Sequence, residues 1–314
     1  MSECQRKTNR SPDMSEVDAE DRSGRWWLDR ADLIGKTAII TGGAGGLGEA
    51  ITLDLASNGV NIALIDRDEA ATKRISKELI SRGVEAIVHT GDVRKSDDLD
   101  ALFEAVADKW KHLDVLVNVV GGTFKGAFTE QSERAWDALI RTNLTHVLQA
   151  TSRAVPAMRA GGRAGSIINI TTIEGYRAAP NFAVYSAAKA AVAQFARSLA
   201  IELAPEGIRV NNVAPDLAPT PNMLGIGSTE SSHPMLNPIN IHTSIPMGRL
   251  GTPSDISNAV IFLASGLSSY MTGMTLHPDG GTFASAGWLN WPDEGFSNIL
   301  PSSVLQHYTS PPPS

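Results

Sequence analysis

The sequence predicts an α/β fold, a doubly wound parallel sheet of about seven strands in a single domain with helices on both faces. Two observations carry this. Short apolar runs such as Thr37–Thr41 (TAIIT), Asn61–Asp66 (NIALID) and Asp114–Val120 (DVLVNVV) show no polar alternation, as expected for strands buried on both faces. Helix-length segments separate these runs, and strictly alternating strands and helices imply a parallel sheet.

Each element follows in order. After the strand at 37–41 comes a glycine cluster and a helix from about Leu47 to Asn58. The strand at 61–66 leads to an amphipathic helix, 68–82, stopped by Gly83. Residues 85–89 are the third strand, 96–111 the third helix and 114–120 the fourth strand. One long helix is expected over about 132–159, ending before Gly161-Gly162. Strands at 166–171 and 209–214 flank a helix at 183–203. Thr252-Pro253-Ser254-Asp255 has an N-cap residue, a proline at the first helical position and an acid in the first turn. The helix it starts runs to about Ala264, and a last strand lies near 274–277.

This places a domain at 31–283. Residues 1–30 are polar, and disorder is expected to about residue 24, with Trp26 and Trp27 docking the segment. Residues 216–247 are rich in Pro, Asn, Ser and Thr and interrupt the rhythm. A long irregular excursion of this kind is usually functional. A tail, 284–314, carries Trp288 and Trp291.

The net charge of −7 argues against a nucleic-acid partner. The single cysteine, Cys4, excludes an intramolecular disulfide. The N-terminus has no apolar signal-like core, and no stretch approaches the length of a membrane span. The expectation is a soluble cytoplasmic protein without a membrane partner. The seven histidines show no ligand spacing, so no metal site is expected.

Tyr185 and Lys189 stand four residues apart, on one face of a helix. A free phenol has a pKa of about 10, and a nearby ammonium favours its ionised form. Such a tyrosine can exchange a proton with a hydroxyl or carbonyl, although the same spacing occurs by chance on surface helices. Gly42, Gly45, Gly46, Leu47 and Gly48 follow the first strand and open a helix. There the backbone can approach a pyrophosphate at the helix N-terminus. Asp66, at the end of the second strand, suits adenosine ribose hydroxyls and would repel a 2′-phosphate, which favours NAD over NADP. The alternative for Asp66 is an N-cap of the next helix. Arg67 beside it could soften the preference.

In order along the chain stand Thr41-x-x-x-x-Gly46-x-Gly48, Gly91-Asp92-Val93, Asn118-x-x-Gly121, Asn143, the strand ending at Thr172, Tyr185-x-x-x-Lys189, Pro215 and Asp279-Gly280-Gly281. With these motifs the chain resembles the short-chain dehydrogenase/reductases, in their compact single-domain, Rossmann-like branch, over about residues 33–282. The resemblance implies an NAD-dependent oxidoreductase that interconverts a secondary alcohol and a ketone. It implies Tyr185 as acid/base, Lys189 lowering its pKa and binding the nicotinamide ribose, and Asn143 holding a water linked to Lys189. The alternative for Asn143 is an asparagine bonding its own helix backbone. Asp92 and Val93 would contact the adenine, Asn118 and Pro215 would belong to the cofactor site, and Thr220 would reach the carboxamide. The family also implies a homodimer or homotetramer through helices at about 132–159 and 183–204.

Three positions depart from the family's pattern. Thr172 stands where a serine is expected to orient the substrate carbonyl. It offers the same hydroxyl, and the alternative is a strand-end residue without that role. Val119-Val120 replaces an Asn-Ala pair, and Asp216 replaces a glycine after Pro215. Asp216 either binds a polar substrate group or turns to solvent or a helix end. The pocket is expected to be lined by Thr123, Phe124, Glu174, Tyr176, Phe182, Asp216 and the loop 216–247. This mix suits a fairly apolar small-molecule substrate. A 3-oxoacyl thioester is the nearest rival, and a non-catalytic NAD-binding regulator or scaffold is the alternative of another class.

Overall fold

The computed structural model describes residues 26–220 and 236–309. The expected disorder to residue 24 falls outside them, as do residues 221–235 of the irregular loop. Among the described residues, seven strands form one parallel sheet: β1 (Thr37–Thr41), β2 (Asn61–Asp66), β3 (Ala86–Thr90), β4 (Val115–Asn118), β5 (Ser166–Ile170), β6 (Arg209–Val213) and β7 (Thr275–Leu276). Their order is β3-β2-β1-β4-β5-β6-β7. The order reverses between β1 and β4, so a crevice opens at the C-terminal ends of those two strands.

β1, β4 and β5 are buried along their whole lengths, which explains their unbroken apolar character. One core lies between the sheet and the helices α2 (Gly46–Ser57), α3 (Glu69–Ser81) and Pro253–Ala264, around Ile40, Leu55 and Val260. The other lies under α4 (Ser96–Trp110), α6 (His146–Ala160) and α7 (Ala183–Leu203), around Leu102, Ala154 and Ala196. Helix starts follow local chemistry. Asp68 caps α3 by accepting from Ala71 N, and Thr252 and Asp255 form a reciprocal capping box before Pro253.

Three expectations change. The helix expected over 132–159 is α5 (Glu133–Ile140) and α6, joined by a π-helical turn at Arg141–Thr145. The irregular loop contains a helix, Pro238–Ser244, capped by the Asn237 side chain. At the N-terminus, Trp26–Ala31 is helical (α1), but its tryptophans stay largely exposed and Arg30 lies over the Trp26 ring. Docking there comes from buried Ala31 and Leu33 and from Gly266, where a Cβ would approach Arg30 O to 2.7 Å.

A line of buried amides crosses the sheet in register. Asn118 Nδ2 donates to Asn169 Oδ1 at 2.9 Å, and Asn169 Nδ2 to Asn212 Oδ1 at 3.2 Å. Asn212 Nδ2 reaches Thr275 Oγ1 at 3.4 Å, and that hydroxyl pairs with Tyr176 OH at 2.7 Å. Beyond β7, the tail forms an antiparallel hairpin, Leu289–Trp291 with Gly295–Ser297. It packs on Pro238–Ser244, with Asn290 Nδ2 3.3 Å from His242 Nε2.

Candidate active site

The crevice between β1 and β4 is tied at its base by Thr41 Oγ1, which accepts from Val119 N at 3.0 Å. Above it the glycine loop is shaped by close approach. A Cβ on Gly48 would lie 1.9 Å from Gly42 O. Gly42 has φ +68, and a Cβ there would lie 2.9 Å from Val120 Cγ2, so the valine that departs from the family pattern fits only against a glycine. Gly45 is the N-cap of α2 without a side-chain cap, and its Cβ position is open space. Leu47 packs against the core in the first turn. Thr220 lies against Gly46, 3.4 Å from where its Cβ would be. The segment after Pro215 therefore returns to the glycine loop at Thr220.

The Asp66 carboxylate faces this loop. Its Oδ2 accepts from Ala44 N and its Oδ1 from Asp68 N, each at 3.1 Å. The cap of α3 is Asp68, not Asp66. Arg74 also reaches the loop, pairing with Glu49 and approaching Ala44 O at 3.3 Å. The sequence reading missed it because Arg74 lies far along α3. Asp92 is committed to Arg94, which holds its carboxyl below the usual carboxylate range. Val93 is buried in the core beside it. Asn118, expected at the cofactor, instead turns its carboxamide into the sheet toward Asn169. A parallel strand buried on both faces leaves that amide no satisfied alternative.

A backbone cradle that only glycine fits, a helix N-terminus and an acid beside them suit a dinucleotide. The glycine loop and Asp66 would hold its pyrophosphate and adenosine ribose.

Thr172, Tyr185 and Lys189 converge at the C-terminal end of β5. The Thr172 side chain accepts from Glu174 N at 3.3 Å and caps a short turn, and its hydroxyl also faces the Tyr185 phenol. Lys189 is buried, and its Nζ donates to Ile170 O at 2.9 Å. Burial lowers its pKa to about 8. Burial also pushes the Tyr185 phenol up to about 12; Thr172 acts against this and the Glu174 carboxylate adds to it. The expected depression of the phenol by Lys189 is therefore not present in the protein alone. Desolvation disfavours both charged forms and dominates.

Asn143 sits in the π-turn, fully buried. Its Nδ2 donates to Leu139 O at 2.9 Å and to Gly122 O at 2.8 Å, and its Oδ1 accepts from Gly122 N at 3.2 Å. The side chain both bonds its own helix and clamps the loop after β4, so its polar atoms are already engaged. A Cβ on Gly121 would lie 3.1 Å from Lys189 Nζ and 3.2 Å from Asn143 Oδ1. Gly121 thus sits between the lysine and the asparagine.

The expected pocket residues divide. Phe124 is exposed, and Thr123 has a buried hydroxyl without a partner. Phe182 is half-buried at the N-cap of α7. Tyr176 packs edge-on against His277 and Phe283, which stack on each other. Glu174 and Asp216 are bridged by Arg177, at 2.9 and 3.9 Å. Asp216 therefore turns inward rather than to solvent, and burial raises its pKa to about 6 against the pull of Arg177 and Thr282.

A family model described as enoyl-(acyl carrier protein) reductase matches residues 42–282. The chain is 36% identical to the 3-oxoacyl-(acyl-carrier-protein) reductase FabG of Staphylococcus aureus over 249 residues, 79% of this chain and 98% of that protein. Carveol dehydrogenase from Mycobacterium avium, solved in complex with NAD, is similar with a TM-score of 0.74 at 30% identity, covering 80% of this chain and 98% of that one. A short-chain type dehydrogenase/reductase from Mycobacterium marinum gives a TM-score of 0.73 at 29% identity, covering 81% and 98%.

Proposed function

The chain belongs to the short-chain dehydrogenase/reductase family of oxidoreductases, and from that premise we propose that it interconverts a secondary alcohol and a ketone on a fairly apolar small molecule, with NAD preferred over NADP. The observation that carries this is the convergence of Tyr185, the Thr172 hydroxyl and buried Lys189 beside the glycine cradle. The nicotinamide, when bound, supplies the carbon that takes or gives the hydride.

The residues do the rest. Thr172 donates to the substrate oxygen and fixes its direction. Tyr185, a phenol that holds its proton tightly, gives that proton to a carbonyl oxygen in reduction and takes it back in oxidation. Lys189 would hold the nicotinamide ribose. Asn143 keeps Gly121 and Gly122 in place against Lys189. Val93 would meet the adenine and Thr220 the carboxamide, with Gly121, Gly122 and Pro215 along the cofactor site between them. Phe124, Tyr176 and Phe182 supply apolar surface to the substrate. Preference for NAD rests on Asp66, whose charge would meet a 2′-phosphate.

The second reading is reduction of a 3-oxoacyl thioester, favoured by the name of the Staphylococcus relative. The Glu174 carboxylate acts on the Tyr185 phenol, which makes an anionic substrate end unfavourable there. Self-association is proposed through the apolar groove of Phe128, Ile140, Leu144, Val184 and Ala191, between α5, the π-turn and α7.

The test is nicotinamide absorbance with a panel of secondary alcohols, ketones and a 3-oxoacyl thioester, with NAD(H) and NADP(H). Turnover of alcohols with NAD, abolished in Tyr185→Phe while NAD still binds, is the expected result. Turnover of the thioester alone, with NADPH, would replace it with the second reading. Full activity in Tyr185→Phe would overturn the site.

A further inference from the structure

His146 opens α6, three residues after Asn143, and it is completely buried. Among the described residues, neither ring nitrogen has a hydrogen-bond partner of normal geometry. A buried polar group without a partner is costly, so its presence needs a reason.

The π-turn supplies one. In a regular α-helix the His146 N–H would take the carbonyl of Thr142. Here it closes the wide turn onto Arg141 O instead. The Thr142 carbonyl is faced by the imidazole, and the contact favours a proton on the ring. Three charged or polar groups act on the ring from the elements around it: Lys189 from α7, Asp92 from the turn after β3 and Thr142 from its own turn. Burial and Lys189 outweigh the other two and lower its pKa to about 3. The ring is therefore neutral at any working pH, with one N–H donor and one lone pair.

We propose that His146 is a positioning residue of the active site, its N–H directed to the Thr142 carbonyl that the π-turn releases and its other nitrogen an acceptor on the Lys189 side. In that arrangement it keeps the turn open, so that Asn143 clamps Gly122 against Lys189. It places an acceptor, and no second cation, behind the lysine. A one-residue shift back to a regular α-turn would rotate Asn143 by about 100° around the helix. The proposal rests on the hydride-transfer reading for its kinetic consequence.

Two variants separate polarity from volume. His146→Gln keeps a donor and an acceptor, and His146→Phe keeps bulk alone. With the best alcohol found for the full-length protein, His146→Phe should lose tenfold or more in kcat with KM for NAD within about twofold. Its pH–rate profile should shift, and His146→Gln should recover most of kcat and the wild-type profile. Equal loss in both variants, or a His146→Phe enzyme with wild-type kcat and profile, overturns the proposal. A second measurement needs no turnover: 15N imidazole spectra of the full-length protein, with the His146 signals identified by their loss in His146→Gln. Expected is one neutral tautomer, unchanged between pH 5 and 8 and displaced by Lys189→Met. Titration within that range, or indifference to Lys189→Met, also overturns it. Absence of any alcohol activity in the wild type would count against the proposed reaction and leave this spectroscopic test standing.

Discussion

Asn143 holds Gly122 by both of its backbone polar groups, donating to its carbonyl at 2.8 Å and accepting from its N–H at 3.2 Å. A third bond, to Leu139 O, anchors the same carboxamide in its helix. The loop after β4 is therefore fastened to the π-turn through one side chain. Asn143→Ala removes all three bonds and leaves buried backbone groups unpaired, at about 1–3 kcal/mol each before water enters. The expected outcome is a folded but less stable protein with kcat reduced at least tenfold, followed by thermal melts and steady-state rates.

Gly121 offers a sharper cut. A methyl there would stand 3.1 Å from Lys189 Nζ and 3.2 Å from Asn143 Oδ1. Gly121→Ala should displace the lysine while leaving the cores untouched. Activity should fall about tenfold or more with Tm nearly unchanged, and an unaffected kcat would show that Lys189 has room to spare.

The proposed preference for NAD rests on the Asp66 carboxylate, turned toward the glycine loop at Ala44 N. Removing it in Asp66→Ala should weaken NAD binding by about tenfold, the scale of one or two lost hydrogen bonds. NADP binding should improve, because exposed Arg67 and the nearby Arg74 then dominate the local charge. Fluorescence titration with both cofactors measures this. A wild type that binds NADP more tightly would refute the assignment.

Asp216 gives a pH signature. Its folded pKa, about 6, lies above the unfolded value of about 3.9. The folded state thus keeps the proton longer, and ionisation costs stability as pH rises from about 4 through 6, with the full cost present above 6. Asp216→Asn should be more stable than wild type at pH 7.5, by about 2–3 kcal/mol. The gap should close as pH falls toward 4. Urea melts across this range give the comparison, and a gap independent of pH would exclude Asp216 as its source.

The tail contributes through Asn290 and His242. Deletion after Ala284 removes the hairpin that packs on Pro238–Ser244. KM for the alcohol should rise several-fold with little change in NAD affinity. Identical kinetics and stability in the truncated protein would make the hairpin plain surface.

Much of this was readable in the chain because strands buried on both faces must be apolar throughout. β1 and β2 and the helix at 183–203 lie where the patterns put them. The π-turn was not readable, since no side-chain cap, glycine or proline marks Arg141–Thr145 in the sequence. The helix at Pro238–Ser244 did have a signal, Asn237 before Pro238, the same cap-and-proline start recognised at Thr252-Pro253. The spacing of Tyr185 and Lys189 was legible, but the direction of the phenol's shift was not. That direction depends on how deeply the third dimension buries both groups.

The amides that run from Asn118 through Asn169 and Asn212 to Thr275 and Tyr176 meet only in one alignment of four strands. Sliding any of these strands by one residue turns its amide to the opposite face of the sheet. In β4 and β5 the neighbouring amide then loses its partner, whereas in β6 Asn211 stands next to Asn212. Apolar side chains such as Ile167 and Ile168 tolerate such a slip far better, since one isoleucine replaces another. The ladder therefore favours the native register of β4 and β5 over their one-residue slips. Through the Thr275 hydroxyl it also ties Tyr176 to that register.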